Sequence, residues 1–94
     1  NNYYLPNAFS PNGDSENDVL KIYPDGIIRC ILEYKLVIYD RWGEQVFESI
    51  IASEVWDGAR KGKIMDTQVL AYYLHVIFLD GKTVEKHGNI SLVR

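Results

Sequence analysis

The chain has 94 residues, a formal net charge of −3, 47% hydrophobic and 24% charged residues, a size and composition that fit one globular domain and exclude a disordered tail. The charge balance excludes the clustered Lys and Arg of a nucleic-acid footprint, and no apolar run approaches the roughly 20 residues that span a bilayer. Cys30 is the one cysteine, which rules out an internal disulfide and a cysteine-based zinc site but leaves the compartment open.

The first third carries the whole net charge. Asp14, Glu16, Asp18 and Asp25 stand there against Lys21, and the remaining acids and bases cancel. The start, Asn1-Asn2-Tyr3-Tyr4-Leu5-Pro6, has no initiator Met and no apolar signal core, so the chain reads as a piece of a longer protein. Residues 1–18 are rich in turn formers: Pro6-Asn7, Ser10-Pro11, Asn12-Gly13-Asp14. Within them, oxygen side chains recur at 12, 14, 16 and 18, a spacing that lets a short loop wrap a hard cation. Asn12, Asp14 and Asp18 are therefore candidate calcium ligands. The alternative is a set of Asx turns that satisfy the loop backbone without an ion. The loop is no EF-hand, since the sixth-position glycine and the closing bidentate Glu are missing.

Val19–Tyr23 reads as a strand ended by a turn at Pro24-Asp25-Gly26. No segment has helical periodicity. Residues 31–39 are the clearest strand. Leu32, Tyr34, Leu36 and Ile38 alternate with Glu33 and Lys35, so the even set is expected on the core face. Asp40-Arg41-Trp42-Gly43 turns the chain, and Gln45–Glu48 returns as a short strand. Residues 53–68 are irregular, with turns at Trp56-Asp57-Gly58 and Lys61-Gly62-Lys63. Trp56 reads as core, and Asp57 as bonding its own turn. The last hairpin runs from Val69 to Leu79, turns at Asp80-Gly81 and returns from Lys82 to Arg94. A two-residue turn there mixes core and solvent faces, so the pattern predicts one extra residue, a bulge between Thr83 and Asn89 near Gly88. Together these segments predict an all-β fold, an immunoglobulin-like antiparallel β-sandwich of about seven strands.

Nothing reads as an enzyme. A nucleophile elbow, a phosphate-binding glycine loop and a HExxH motif are absent. His75 and His87 lie on the two arms of the last hairpin with no evident third metal ligand. Cys30 reads as a small apolar residue at a strand start. Arg41, Trp42 and Gly43 permit two readings. In one, the Trp folds back on the sheet with Arg41 stacked or paired to Asp40. In the other, the turn is an exposed interface centre, since Trp and Arg are favoured there.

Several motifs occur in one order: Pro6-Asn7-Ala8-Phe9-Ser10-Pro11-Asn12-Gly13-Asp14, Asn17-Asp18, Arg41-Trp42-Gly43-Glu44 with Val46-Phe47, Trp56-Asp57-Gly58 with Lys61-Gly62-Lys63, and Gly88-Asn89-Ile90-Ser91-Leu92-Val93-Arg94. In this the chain resembles the gliding motility-associated C-terminal domain, the type B sorting domain of the type IX secretion system, over nearly its whole length. The resemblance implies a single C-terminal domain, residues 1–94, of a large exported protein such as an adhesin. It implies no catalysis. Its partners would be an outer-membrane component of the secretion machinery and the cargo domains that precede it in the same chain. The cargo would pass through the periplasm to the cell surface or medium. Arg41, Trp42 and Gly43, with Ile90, Leu92 and Arg94 of the last strand, are the expected partner-binding residues. Two departures stand out: Ser15 occupies a usual glycine position, and Gln68-Val69-Leu70-Ala71 replaces a Pro and a Gly, which lets that strand start earlier. The competing reading is an adhesion or carbohydrate-binding module that stacks Trp42, Trp56 and exposed tyrosines on sugars.

Overall fold

The long β-branched and aromatic runs form the strands, as their alternation predicts. The computed structural model describes residues 3–11 and 19–93. Its strands are β1 (Ala8–Phe9), β2 (Ile31–Tyr39), β3 (Gln45–Ser49), β4 (Ala59–Arg60), β5 (Lys63–Ile64), β6 (Gln68–Phe78) and β7 (Thr83–Leu92). The fold is all-β. Five strands form one sheet in the order β1-β7-β6-β2-β3, and β4-β5 form a separate hairpin.

The expectation of a purely antiparallel arrangement is corrected at one edge. β1 pairs with β7 in parallel, Phe9 opposite Leu92, so the sheet is mixed. No hairpin links these two strands, so nothing forces them to run opposite ways. Parallel pairing lets Ser91 and Val93 donate their N–H groups to the carbonyls of Asn7 and Phe9 at 2.8 and 3.0 Å. It also sets Phe9 and Leu92, 2% and 0% exposed, side by side in the core.

One face of the sheet is covered by chain that does not form a second ladder among the described residues. Leu20, Ile22, Ile27 and Trp56 pack there against Tyr34, Leu36, Ile38, Leu70, Leu74, Val76 and Ile90. Residues 19–23 alternate as a strand does, with Leu20 and Ile22 buried, but they pair only through isolated bridges, Leu20 to Trp56 and Tyr23 to Tyr4. The turn expected at Pro24 is the start of a 3-10 helix over Asp25–Cys30 that buries Ile27. Cys30, half-buried, packs against the core at its end.

The even residues of β2 face the core from Tyr34 onward. Leu32 does not, and is 62% exposed. The register between β2 and β6 slips between Ile31 and Glu33, and that irregularity takes Leu32 out of the core line.

The last hairpin keeps a straight ladder from Gln68 opposite Leu92 to Ile77 opposite Thr83. No bulge interrupts Thr83–Asn89, so that expectation is corrected. The extra residue is in the turn instead. Phe78 donates its N–H to Lys82 and accepts from Gly81, which closes a three-residue loop, Leu79-Asp80-Gly81, with Gly81 at φ +90°. This loop shifts the register by one residue and sets Leu70 opposite Ile90 and Val76 opposite Val84, matching core to core. Gly88 serves space rather than an unusual φ: it lies opposite Tyr72, and a Cβ there would sit 2.7 Å from the Tyr72 ring.

Candidate functional site

The turn that joins β2 to β3 begins with Asp40. Its Oδ1 accepts hydrogen bonds from the backbone N–H of Trp42 and of Glu44, each at 2.9 Å. An Asp in this place mimics a turn of backbone and holds the loop from inside. The main chain closes the loop as well: Gly43 N–H donates to the Asp40 carbonyl at 3.0 Å, and Asp40 N–H donates to Glu44 at 2.8 Å. Gly43 takes φ +80°, a conformation other residues enter only with strain.

A second element braces this turn from outside. Arg60, at the end of β4, forks onto both carboxylate oxygens of Glu44, at 3.1 and 3.2 Å, and lies 4.0 Å from Asp40 Oδ2. Paired forks of this kind fix geometry as well as charge. Hydrogen bonding to Arg60 lowers the Glu44 carboxyl below its usual range, and Glu44 raises the guanidinium in return. Arg60 was not singled out from the sequence. It sits sixteen residues from Glu44 in an irregular stretch, where nothing in local spacing joins the two. Of the two arrangements open to Arg41, stacked or paired to Asp40, the stacked one is found, with its Cζ 5.2 Å from the Trp42 ring centroid, while Arg60 approaches Asp40 and Trp42 does not fold back on the sheet.

The outcome is an apolar ring held in water. Trp42 is 78% exposed, the largest value among the exposed large hydrophobic residues. Beside it lies a hollow of about 250 Å³ lined by Asp40, Arg41, Trp42, Met65, Asp66, Thr67 and Gln68. A Trp and an Arg on a braced turn next to a polar recess form a small contact surface of the kind that anchors protein interfaces.

The other named residues fall elsewhere. Ile90 and Leu92 are fully buried core residues of β7, so in the folded domain they hold the last strand and do not touch a partner directly. Asn12, Asp14, Asp18 and Arg94 lie outside the described residues. Trp56 is core, 4% exposed, stacked on Phe47 and tilted against Phe9, with its indole N–H donated to the Ala59 carbonyl. It therefore shares no face with Trp42, and the two do not form a sugar platform. Asp57 accepts from Ala59 N–H within its own turn, as expected. His75 and His87 share the open face of the sheet with Tyr73. Tyr73 donates to Glu85 at 2.7 Å and packs on His87, while His75 Nδ1 lies 3.7 Å from Glu85. The described residues contain no group of three or more His, Cys, Asp or Glu able to hold a metal.

The described residues thus form an all-β domain that displays an aromatic ring and a cation on a braced turn. Residues 3–92 match the CHU_C type IX secretion signal domain, and the chain belongs to that family. It is a sorting signal that directs secretion by the type IX route, and the family is not an enzymatic one. Such a signal interacts with the secretion machinery, and the protein that bears it is exported to the cell surface or the extracellular space. No curated protein matches the chain. Among the described residues, no helix is long and apolar enough to cross a membrane.

Proposed function

We propose that the domain acts as a folded address without catalytic activity, read at the Arg41-Trp42 turn by an outer-membrane component of the type IX machinery. The cargo domains of the same chain then pass through the periplasm and follow it outward. The observation that supports this reading is the exposure of Trp42 on a turn fixed twice, by Asp40 from within and by Arg60 from outside. Rigid display matters because a pre-ordered anchor loses less conformational entropy on binding.

The test fuses the chain to a periplasm-targeted reporter in a host with a working type IX apparatus. The intact domain is expected to carry the reporter out of the cell. The Arg41→Ala/Trp42→Ala double variant is expected to keep its melting temperature and lose export, since neither side chain supports the core. Deletion of residues 90–94 is expected to abolish export by another route, unfolding, because it removes Ile90 and Leu92. A folded double variant that exports normally would move the recognition surface away from this turn.

A further inference from the structure

β2 is paired along its full length with β6, but on its other side β3 reaches only Leu36–Tyr39. After Ser49 the chain leaves the ladder. The Ser49 hydroxyl exchanges bonds with Ile51, donating to its carbonyl and accepting from its N–H, and Glu54 N–H donates to the Ile51 carbonyl. Ile31–Lys35 are thereby left with one edge on which no strand pairs among the described residues. Unpaired strand edges are templates for another chain, and proteins usually cover, shorten or charge them.

This half-edge opens into a notch of about 180 Å³ of mixed character, where Ile31, Leu32, Ile50 and Ile51 stand beside Glu33 and Ser53. Leu32, Ile50 and Ile51 are 62, 72 and 57% exposed, a concentration of branched side chains in water that packing within the domain does not require. The Tyr34 hydroxyl is buried without a hydrogen-bond partner, and burial together with the Glu54 charge pushes its pKa to about 12, so it stays protonated.

Charge defines what fits. Glu33 is exposed, lies opposite the apolar Ile77 and has no ion-pair partner among the described residues. Its neighbour Lys35 is engaged by Glu48 at 3.6 Å. A strand laid along this edge would meet the uncompensated Glu33 carboxylate and the exposed side chains of Leu32, Ile50 and Ile51 around the same notch. A second copy of this chain fits poorly, since two-fold antiparallel pairing centred there sets Glu33 against Glu33.

We infer that Ile31–Lys35 is a strand-addition site for an extended segment of a partner protein that alternates apolar with basic residues, taking up the line that β3 leaves at Ser49. The site lies at the far end of β2 from the Arg41-Trp42 turn and stands independently of how that turn is used.

The probe is a capped hexapeptide of alternating valine and lysine, titrated into the isotope-labelled chain. The backbone amides of Leu32–Lys35 are expected to shift and to exchange more slowly with solvent. Glu33→Lys, at an exposed position, is expected to leave the fold intact and weaken binding on the order of fivefold, and a valine–glutamate peptide is expected to bind no better than that variant. The inference is overturned by the absence of any shift up to about 1 mM peptide, a concentration that would detect even millimolar affinity. It is also overturned if the shifts map to the outer edge of β3, or if sedimentation shows that the chain instead pairs with itself through the same amides.

Discussion

Two turns of this domain share one backbone and carry different loads. In both, a closing residue accepts from a glycine three positions on and donates to the residue after it: Asp40, Gly43 and Glu44 in one, Phe78, Gly81 and Lys82 in the other. Both glycines take positive φ, +80° and +90°. The second turn carries Leu79 and Asp80, closes β6 onto β7 and donates the Leu79 N–H to the Cys30 carbonyl at 2.8 Å. The first carries Arg41 and Trp42 and is gripped by Arg60 from a separate hairpin. The shared geometry shows that the turn type is a requirement of register. Both turns are tied to a neighbouring element, the second through its main chain and the first through the Arg60 side chain, and only the first displays an aromatic ring and a cation.

If the backbones are equivalent, they should break equally. Gly43→Val and Gly81→Val each force a β-branched residue into the left-handed region, and each is expected to cost about 2 kcal/mol, on the order of 10 °C in melting temperature for a domain of this size. Thermal unfolding followed by circular dichroism checks it. A large loss at one glycine and none at the other would show that one loop relaxes into another turn.

The two aspartates sharpen the contrast. Asp40 Oδ1 accepts two backbone N–H groups, whereas Asp80 Oδ1 accepts one, from Lys82 at 3.0 Å. Asp40→Ala is expected to cost about 1–1.5 kcal/mol and Asp80→Ala about 0.5–1 kcal/mol, following the number of bonds lost. Denaturant midpoints at constant slope measure both. Equal losses would mean that the second bond of Asp40 contributes nothing net.

These turns also show what can be read from a chain and what cannot. Alternation along residues 31–39 and 69–92 marked the central strands, because a half-buried pleated strand must alternate. Parity also required a register correction in the last hairpin, and the pattern placed it near Gly88 rather than in the turn. Gly88 instead leaves space for the Tyr72 ring across the sheet, a need that β7 alone does not reveal. Leu32 kept the core pattern and still left the core, because a slip against β6 is invisible in β2 alone. At the candidate site, Arg41-Trp42-Gly43 was visible as residue types on a turn. The Arg60 brace was not, since it depends on where an irregular loop delivers one side chain. The parallel edge pairing of Ala8–Phe9 escaped for the same reason, two residues being too few to carry a period.

The smallest expected effect isolates the brace itself. Arg60 holds the Glu44 carboxyl below its ordinary pKa, so folding favours the ionised form. A depressed folded-state pKa gives stability that is fully present above the unfolded value, about 4.3 for Glu, and is lost as pH falls through the lower folded value. Glu44→Gln should therefore melt below the wild type at pH 7. The gap should narrow as pH drops under about 4 and close once the wild-type carboxyl is protonated. The pair is solvent-exposed, so the gap should also shrink in high salt. Melting temperatures of the two proteins across pH 2–8 give the difference directly. A gap that persists unchanged at the acid end would assign the loss to packing or to the Asp40 network, and Arg60 would then act as a geometric clamp rather than as a charge.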